Sequence, residues 1–251
     1  VTDVTGKLGH EANDISEEEF LRRYPKQDYP KPSVAVDLTV FTVSDTDLKV
    51  LLIRRKGHPH KGSWAFPGGF VDVGDGYDDQ GESIEEAAYR EMTEETSLAH
   101  GSVFLEQLYT FGTPNRDPRM RIISVAYYAL VPGDRMALVK AGSDAEEARW
   151  FSVEHEVADL DLAFDHAESL RMAVERIQGK IDYAPLAREL VPEVFTVAEL
   201  RQVYEAVKGK TYNPASFRRR FQRMQTDGII EQAPGKRQTS TKPAKVYRFT
   251  R

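Results

Sequence analysis

Cysteine is absent from the 251-residue chain. That excludes disulfides and thiolate-held metals, so any metal must sit on oxygen or imidazole. Long apolar runs are missing too: none approaches the roughly 18 residues needed to cross a bilayer. The first thirty residues are polar and acidic, unlike the apolar core of a secretory signal. A cytoplasmic protein with no membrane association is the expectation. The charge balance is uneven along the chain. Residues 208–251 hold 12 Lys and Arg against 2 Asp and Glu, whereas the other 207 residues hold 22 against 38. A basic block on an acidic body implies two kinds of partner, and a polyanion suits the block.

The length fits one catalytic domain and a small accessory one. Residues 1–33 read as an N-terminal arm, with a short helix starting near Ile15–Leu21 and ended by prolines 25, 30 and 32. Apolar alternation from Val34 to Val40 predicts a strand, and Lys49–Arg54 a second one after a turn at Thr46-Asp47. Val103–Thr110, Ile122–Val131 and Ala148–Phe151 give three more. Helices are expected over Ser83–Glu95, opened by a Ser83/Glu86 capping box, and over Asp165–Gln178, stopped by Gly179. Tyr183–Glu193 reads as a loop. A new unit then starts at Phe195. Thr196 with Glu199 caps a helix over Val197–Val207 that stops at Gly209, and Asn213-Pro214 opens another over Pro214–Thr226. Two strands, Ile229–Gln232 and Lys245–Phe249, flank a loop at 233–244. The order helix, turn, helix, strand, wing, strand makes a winged helix-turn-helix.

The informative stretch is Arg90-Glu91-Met92-Thr93-Glu94-Glu95. At about 100° per residue, Glu91, Glu94 and Glu95 share roughly a 100° arc of one helical face. Three like charges so placed destabilise an isolated helix, and a hard divalent cation removes that penalty. The plainer reading of such a run is a solvated helix face. Its surroundings argue otherwise. Trp64-Ala65-Phe66-Pro67-Gly68-Gly69 stands upstream, and Gly81-Glu82 leads into the capped helix. This ordered set strongly resembles the Nudix hydrolase box. The resemblance implies an α/β/α sandwich with a mixed sheet and hydrolysis of a nucleoside diphosphate linked to another group. It further implies that Glu91, Glu94 and Glu95 bind Mg²⁺ (or Mn²⁺), that Glu82 assists, and that Arg90 fixes the carboxylate geometry. Gly68 and Gly69 would shape the loop before the helix. Two features depart from the pattern: an insertion at Gly74–Gln80, and Ser97 where a glycine is usual. Metal ions neutralise pyrophosphate charge and acidify a water. Its proton could pass to Glu94, or to Glu146 or Glu147 from a loop.

Arg54, Arg55 and Lys56 close the second strand, where cations can meet substrate phosphates or serve as ordinary strand-end charge. His58 and His60 read as surface or hydrogen-bonding groups rather than metal ligands. The segment Thr110–Arg121, with Arg116, Arg119 and Arg121, resembles an element of Nudix ADP-ribose hydrolases and of NrtR-type regulators of NAD metabolism. So do Lys31–Asp37 and Leu162–His166. These matches imply ADP-ribose as substrate, with the three arginines on its phosphates or ribose; an Arg–Asp-stabilised turn is the structural alternative. In the last helix Arg218, Arg219, Arg220 and Arg223 interleave with Phe217 and Phe221, and the wing carries Lys236, Arg237, Lys242 and Lys245. An arginine face beside a basic wing suits double-stranded DNA. This half resembles the winged-helix domain of NrtR-type regulators, although Thr241-Lys242-Pro243-Ala244 replaces their Gly-Arg-Pro-Ala. Docking to a protein is the competing reading of the tail.

The expected organisation is therefore an arm (1–33), a Nudix domain (34–180) and a winged helix-turn-helix domain (181–251). The expected function is Mg²⁺-dependent hydrolysis of ADP-ribose to AMP and ribose 5-phosphate, fused to a DNA-binding module. The alternative is an NrtR-like transcriptional regulator that senses ADP-ribose or a related NAD metabolite without turnover. A third reading is a hydrolase of another nucleotide with a dimerising tail. Related regulators are two-fold symmetric, so a homodimer is expected.

Overall fold

The computed structural model describes residues 16–23, 30–74, 80–96, 103–138, 145–183, 185–238 and 242–250. Val1–Pro32 and Ser33–Arg251 are separate compact units. In the first, helix α1 (Glu17–Arg23) is opened by Ser16, whose hydroxyl accepts from the Glu19 N–H at 3.2 Å. Arg23 pairs with Glu19 one turn away at 2.6 Å.

In the second unit, strands β1 (Ser33–Ser44), β2 (Asp47–Arg55), β3 (Trp64–Ala65) and β4 (Gly68–Phe70) precede helix α2 (Ile84–Thr96). β5 (Phe104–Phe111), β6 (Ile122–Leu130), β7 (Ala145–Ser152) and helix α3 (His166–Lys180) follow. The seven strands form one mixed sheet in the order β3-β2-β1-β6-β5, with β7 paired to β2 and β4 to β1. β1 and β6 are parallel neighbours, and β1 also pairs antiparallel with β4 at Ala35–Asp37 and with β2 at Phe41–Ser44. Period-two alternation splits β1 between faces. Val36, Leu38 and Val40 pack with Ala87, Ala88 and Met92 of α2, whereas Phe41 packs in the cluster that holds Leu170, Ala173 and Ile177 of α3. The α/β/α sandwich is thus present.

Helices α4 (Leu186–Leu190), α5 (Val197–Lys208) and α6 (Pro214–Thr226), with strands β8 (Ile230–Arg237) and β9 (Ala244–Phe249), form the winged helix. Thr196 and Glu199 make a reciprocal capping box, Gly209 ends α5 at φ +60°, and the Asn213 side chain caps α6. Phe195 pairs with Tyr247, adding a third short segment beside the hairpin. The core is continuous: Phe41, Tyr128 and Ile177 belong to the same buried cluster as Phe195, Val203, Phe217 and Phe221.

Three local expectations are corrected. Gly179 does not stop α3, which runs to Lys180, because Ile177 and Ile181 are both buried and anchor the last turn. That burial outweighs the roughly 1 kcal/mol helix cost of a glycine. The expected loop at Tyr183–Glu193 contains α4, whose Leu186, Ala187 and Leu190 enter the core. β8 continues through Pro234 and Gly235 by a register shift between Gln232 and Lys236, with Gly235 at φ +94°. No described helix is long and apolar enough to cross a membrane.

Candidate functional site

The carboxylate helix is fixed at its start. Ser83 N–H donates to Glu86 at 2.8 Å and Glu86 N–H to the Ser83 hydroxyl at 3.2 Å, satisfying two N–H groups that a helix start otherwise leaves unpaired. Just upstream, Asp72 N–H donates to the Glu82 carboxylate at 2.9 Å and Glu82 N–H to the Asp72 carbonyl at 3.0 Å. These two bonds close the base of the Gly74–Gln80 insertion, so Glu82 keeps its place at the helix entrance. Within the insertion, residues 75–79 lie outside the described residues, as do Ser97 and the Glu95 side chain.

Arg90 is the hub. It donates to Glu82 (2.6 Å), Glu91 (2.7 Å), Glu94 (3.4 Å) and the Phe70 carbonyl (3.0 Å). Glu91 is buried, and burial pushes its carboxyl above the ordinary range against the pull of Arg90. Hydrogen bonds from Arg90 hold Glu82 below that range, and the same contacts raise Arg90. Glu94 is exposed. Gly69 brings the backbone against Glu91, since a Cβ there would lie 2.1 Å from Oε1. Gly68, at φ +156°, would place a Cβ 2.2 Å from the Val36 carbonyl oxygen. Position 68 therefore requires glycine, whereas a side chain at 69 would have to displace the Glu91 carboxylate. Among the described residues, no group of three or more His, Asp or Glu side chains gathers in a way that could hold a metal ion. Glu146 and Glu147 sit on strand β7 rather than in a loop, with Glu147 opposite Arg54.

On the other side of β4 lies a cleft of about 440 Å³. Three segments distant in sequence meet in it: Asp37 from β1, Arg116 and Arg119 from the turn before β6, and Phe164 and His166 at the start of α3. Arg116 makes a two-pronged ion pair with Asp165 (2.7 and 2.5 Å) and lies 3.6 Å from Asp37. With its side chain 6% exposed, Arg116 belongs to the cleft floor. The Ser124 hydroxyl donates to Asp37, and His166 Nε2 lies 3.5 Å from that carboxylate. His166 Nδ1 accepts from the Phe66 N–H at 3.0 Å, so a neutral ring carries its proton on Nε2, toward Asp37. Burial works to raise Asp37, but His166, Ser124 and Arg116 together hold it below the ordinary aspartate range.

Cations line the rim. Arg55 donates to the Pro59 carbonyl at 2.9 Å and lies over the Phe164 ring at 5.0 Å. Arg119 pairs with Asp117 at 2.7 Å and lies 5.3 Å over Phe70. Lys56 and His58 complete that side. Arg54 and Arg121 fall outside the lining, and Arg54 turns to the Gly62 carbonyl. Sequence reasoning placed no role on Asp37 or His166. The available signal was an aspartate in the apolar run of β1, on the same strand face as Thr39 and Phe41.

A second candidate surface lies on the winged helix. Phe217 and Phe221 are buried, and Arg218, Arg219 and Arg223 are exposed on α6. Lys236 and Lys245 face each other across the hairpin, and both are exposed, as is Lys242. Of the residues expected on DNA, Arg220 and Arg237 are held in ion pairs. Arg220 pairs with Asp182 at 2.9 Å and stacks over Tyr204 at 4.2 Å; Arg237 pairs with Glu199 and donates to the Val194 carbonyl at 2.7 Å.

Comparisons with known proteins agree with this two-part arrangement. Residues 33–173 match the NUDIX domain family, and residues 187–249 match the NrtR DNA-binding winged helix domain. The chain is 36% identical over 237 residues to a protein of Acinetobacter baylyi named ADPR responsive transcriptional repressor NtrR, covering 94% of this chain and 90% of that one. It is 40% identical over 143 residues to the ADP-ribose pyrophosphatase of Methanocaldococcus jannaschii, covering 57% and 73%. Shewanella oneidensis NrtR, solved with a 27mer DNA, is similar with a TM-score of 0.70 at 31% identity over 86% of this chain and 93% of that one. The NUDIX domain of the same protein, solved with ADP ribose, matches with a TM-score of 0.53 at 30% identity over 65% and 99%. This chain belongs to the Nudix family, in the branch that joins a Nudix domain to an NrtR-type winged helix.

Proposed function

We propose that this protein is an ADP-ribose-responsive, DNA-binding transcriptional regulator. The observation that carries the reading is the pairing of a cation-rimmed cleft with an exposed arginine face, both built on one continuous core. ADP-ribose places its diphosphate against Arg55 and Arg119, where charge-assisted hydrogen bonds recognise phosphate oxygens. Gly68 and Gly69 let the ligand approach the backbone closely. Arg218, Arg219 and Arg223, with Lys236, Lys242 and Lys245 of the wing, contact DNA phosphates and base edges. The full-length relative named a repressor supports this order of readings over the hydrolase expected first. The test is DNA binding with and without ADP-ribose, over a salt series. DNA affinity indifferent to both salt and ADP-ribose removes the reading.

Hydrolysis of the same ligand is the second reading, favoured by the carboxylates that Arg90 collects and by the pyrophosphatase relative. The donors suit Mg²⁺ in kind: hard carboxylate oxygens, one of them desolvated on Glu91. Glu91, Glu94 and Glu95 would hold the ion. When bound, it would neutralise diphosphate charge and acidify a water. Arg90 keeps the glutamates oriented, and the water's proton would pass to an exposed carboxylate, Glu94 or, from β7, Glu146 or Glu147. AMP release from ADP-ribose with Mg²⁺, present in the wild type and lost in Glu94→Gln, is the expected result. No release from the wild type leaves the regulator reading alone. A homodimer is expected in light scattering, since two-fold symmetry matches a paired operator; a monomer at all concentrations contradicts it.

A further inference from the structure

We propose that Asp182 is the positioning residue that ties the DNA-reading helix to the ligand cleft, with α3 as the rigid link. The inference rests on the reading of the cleft as the ADP-ribose site. α3 begins at the cleft. Asp165, at its N-cap position, holds Arg116 in the cleft floor, and His166, its first residue, faces Asp37. Fifteen residues carry the helix about 22 Å from that point.

Its far end is clamped to the winged helix. Lys208 of α5 donates to the Gln178 carbonyl at 2.7 Å and pairs with Asp182 at 2.6 Å. The lysine thereby caps a last-turn carbonyl and adds positive charge where the helix dipole is negative. Asp182 also accepts from Arg220 of α6 at 2.9 Å, and its carbonyl takes a second Arg220 donor at 3.4 Å. One carboxylate thus holds α5 and α6 to the end of α3. Its two cations hold it below the ordinary aspartate range, Lys208 most strongly.

Between the two ends, α3 is packed along its length. Leu170, Ala173 and Ile177 sit in the cluster shared with Val203 and Phe217. A packed helix moves as a body rather than bending, so a ligand-driven shift at His166 reaches Asp182. There it acts on Arg220, which lies between the exposed Arg219 and Arg223. Docking on Asp182 and Tyr204 fixes the rotation of α6 about its axis. It also keeps one arginine from the DNA-facing set. An ion pair that served stability alone could be cut without changing how DNA affinity responds to ligand.

Fluorescence anisotropy tests this with a labelled duplex selected from random DNA by the wild-type protein. Wild type, Asp182→Asn and Lys208→Gln are titrated with and without saturating ADP-ribose, alongside calorimetric ADP-ribose binding and thermal melting. Wild-type DNA affinity is expected to shift at least about fivefold with ADP-ribose. Both variants are expected to bind ADP-ribose as the wild type does, while their shift falls below about twofold. Folded variants with the full shift overturn the link and leave the functional reading standing. A wild type with no shift overturns both. Should Asp182→Asn fail to fold, Lys208→Gln decides by the same criterion.

Discussion

At the residue scale, arginines of identical chemistry have different duties here, set by the acid beside each one. Arg90 gathers Glu82, Glu91 and Glu94, Arg116 locks into Asp165, and Arg218 stays exposed. A glutamine at position 90 keeps some hydrogen bonding but removes the charge from beside Glu91, whose side chain is only 9% exposed. Leaving a buried polar group without its partner costs about 1–3 kcal/mol, and a charged one more. Arg90→Gln should therefore lower the melting temperature in the absence of any ligand. An unchanged melt would mean that the hub contributes nothing to folding. Position 116 should resist even lysine, because a single ammonium cannot reproduce the two-pronged contact with Asp165. Arg116→Lys is expected to weaken ADP-ribose binding by disordering the floor, with calorimetry as the readout.

At the element scale, the helix boundaries that could be read in the sequence are those written by local chemistry. The Ser83/Glu86 and Thr196/Glu199 boxes and the Asn213-Pro214 start form as expected because each needs only neighbouring residues. Thr196→Ala removes one such cap, at a cost of about 0.5–2 kcal/mol. Denaturant unfolding should show that loss, and equal midpoints would contradict it. Gly179 and helix α4 could not be read the same way, since burial from distant elements decides both. The pairs β3–β2 and β4–β1 were equally hidden, because strands of two or three residues carry no periodicity of their own. The clamp at the end of α3 adds a pH dependence. Asp182 has a folded pKa below its unfolded one, so its contribution is complete above the ordinary aspartate value of about 3.9 and is lost as pH falls through the folded value. The stability gap between wild type and Asp182→Asn should close in that acid window. A gap that widens there would reverse the sign of the argument.

At the scale of the whole molecule, charge and core divide the work. The basic residues of 208–251 could be counted in the sequence, and so could the arginine face of α6. Which arginine is withheld from that face could not, because Asp182 reaches Arg220 from the end of another helix. The cleft likewise draws Asp37, Arg116 and His166 from three distant segments, which the β1–β6 pairing and the docking of α3 bring together. Each exposed arginine that meets a phosphate adds about 0.9 to the slope of log affinity against log salt. Arg218→Gln, Arg219→Gln and Arg223→Gln should each flatten that slope by up to this amount per DNA-bound copy, and slopes equal to the wild type would place the DNA elsewhere. Whether cleft and arginine face form one device is decided by the dissociation constant of the wild-type protein for its selected duplex, taken at one salt concentration with and without ADP-ribose. A shift of at least about fivefold is predicted. Identical constants, with ADP-ribose binding established on the same protein by calorimetry, would mean that cleft and arginine face act independently.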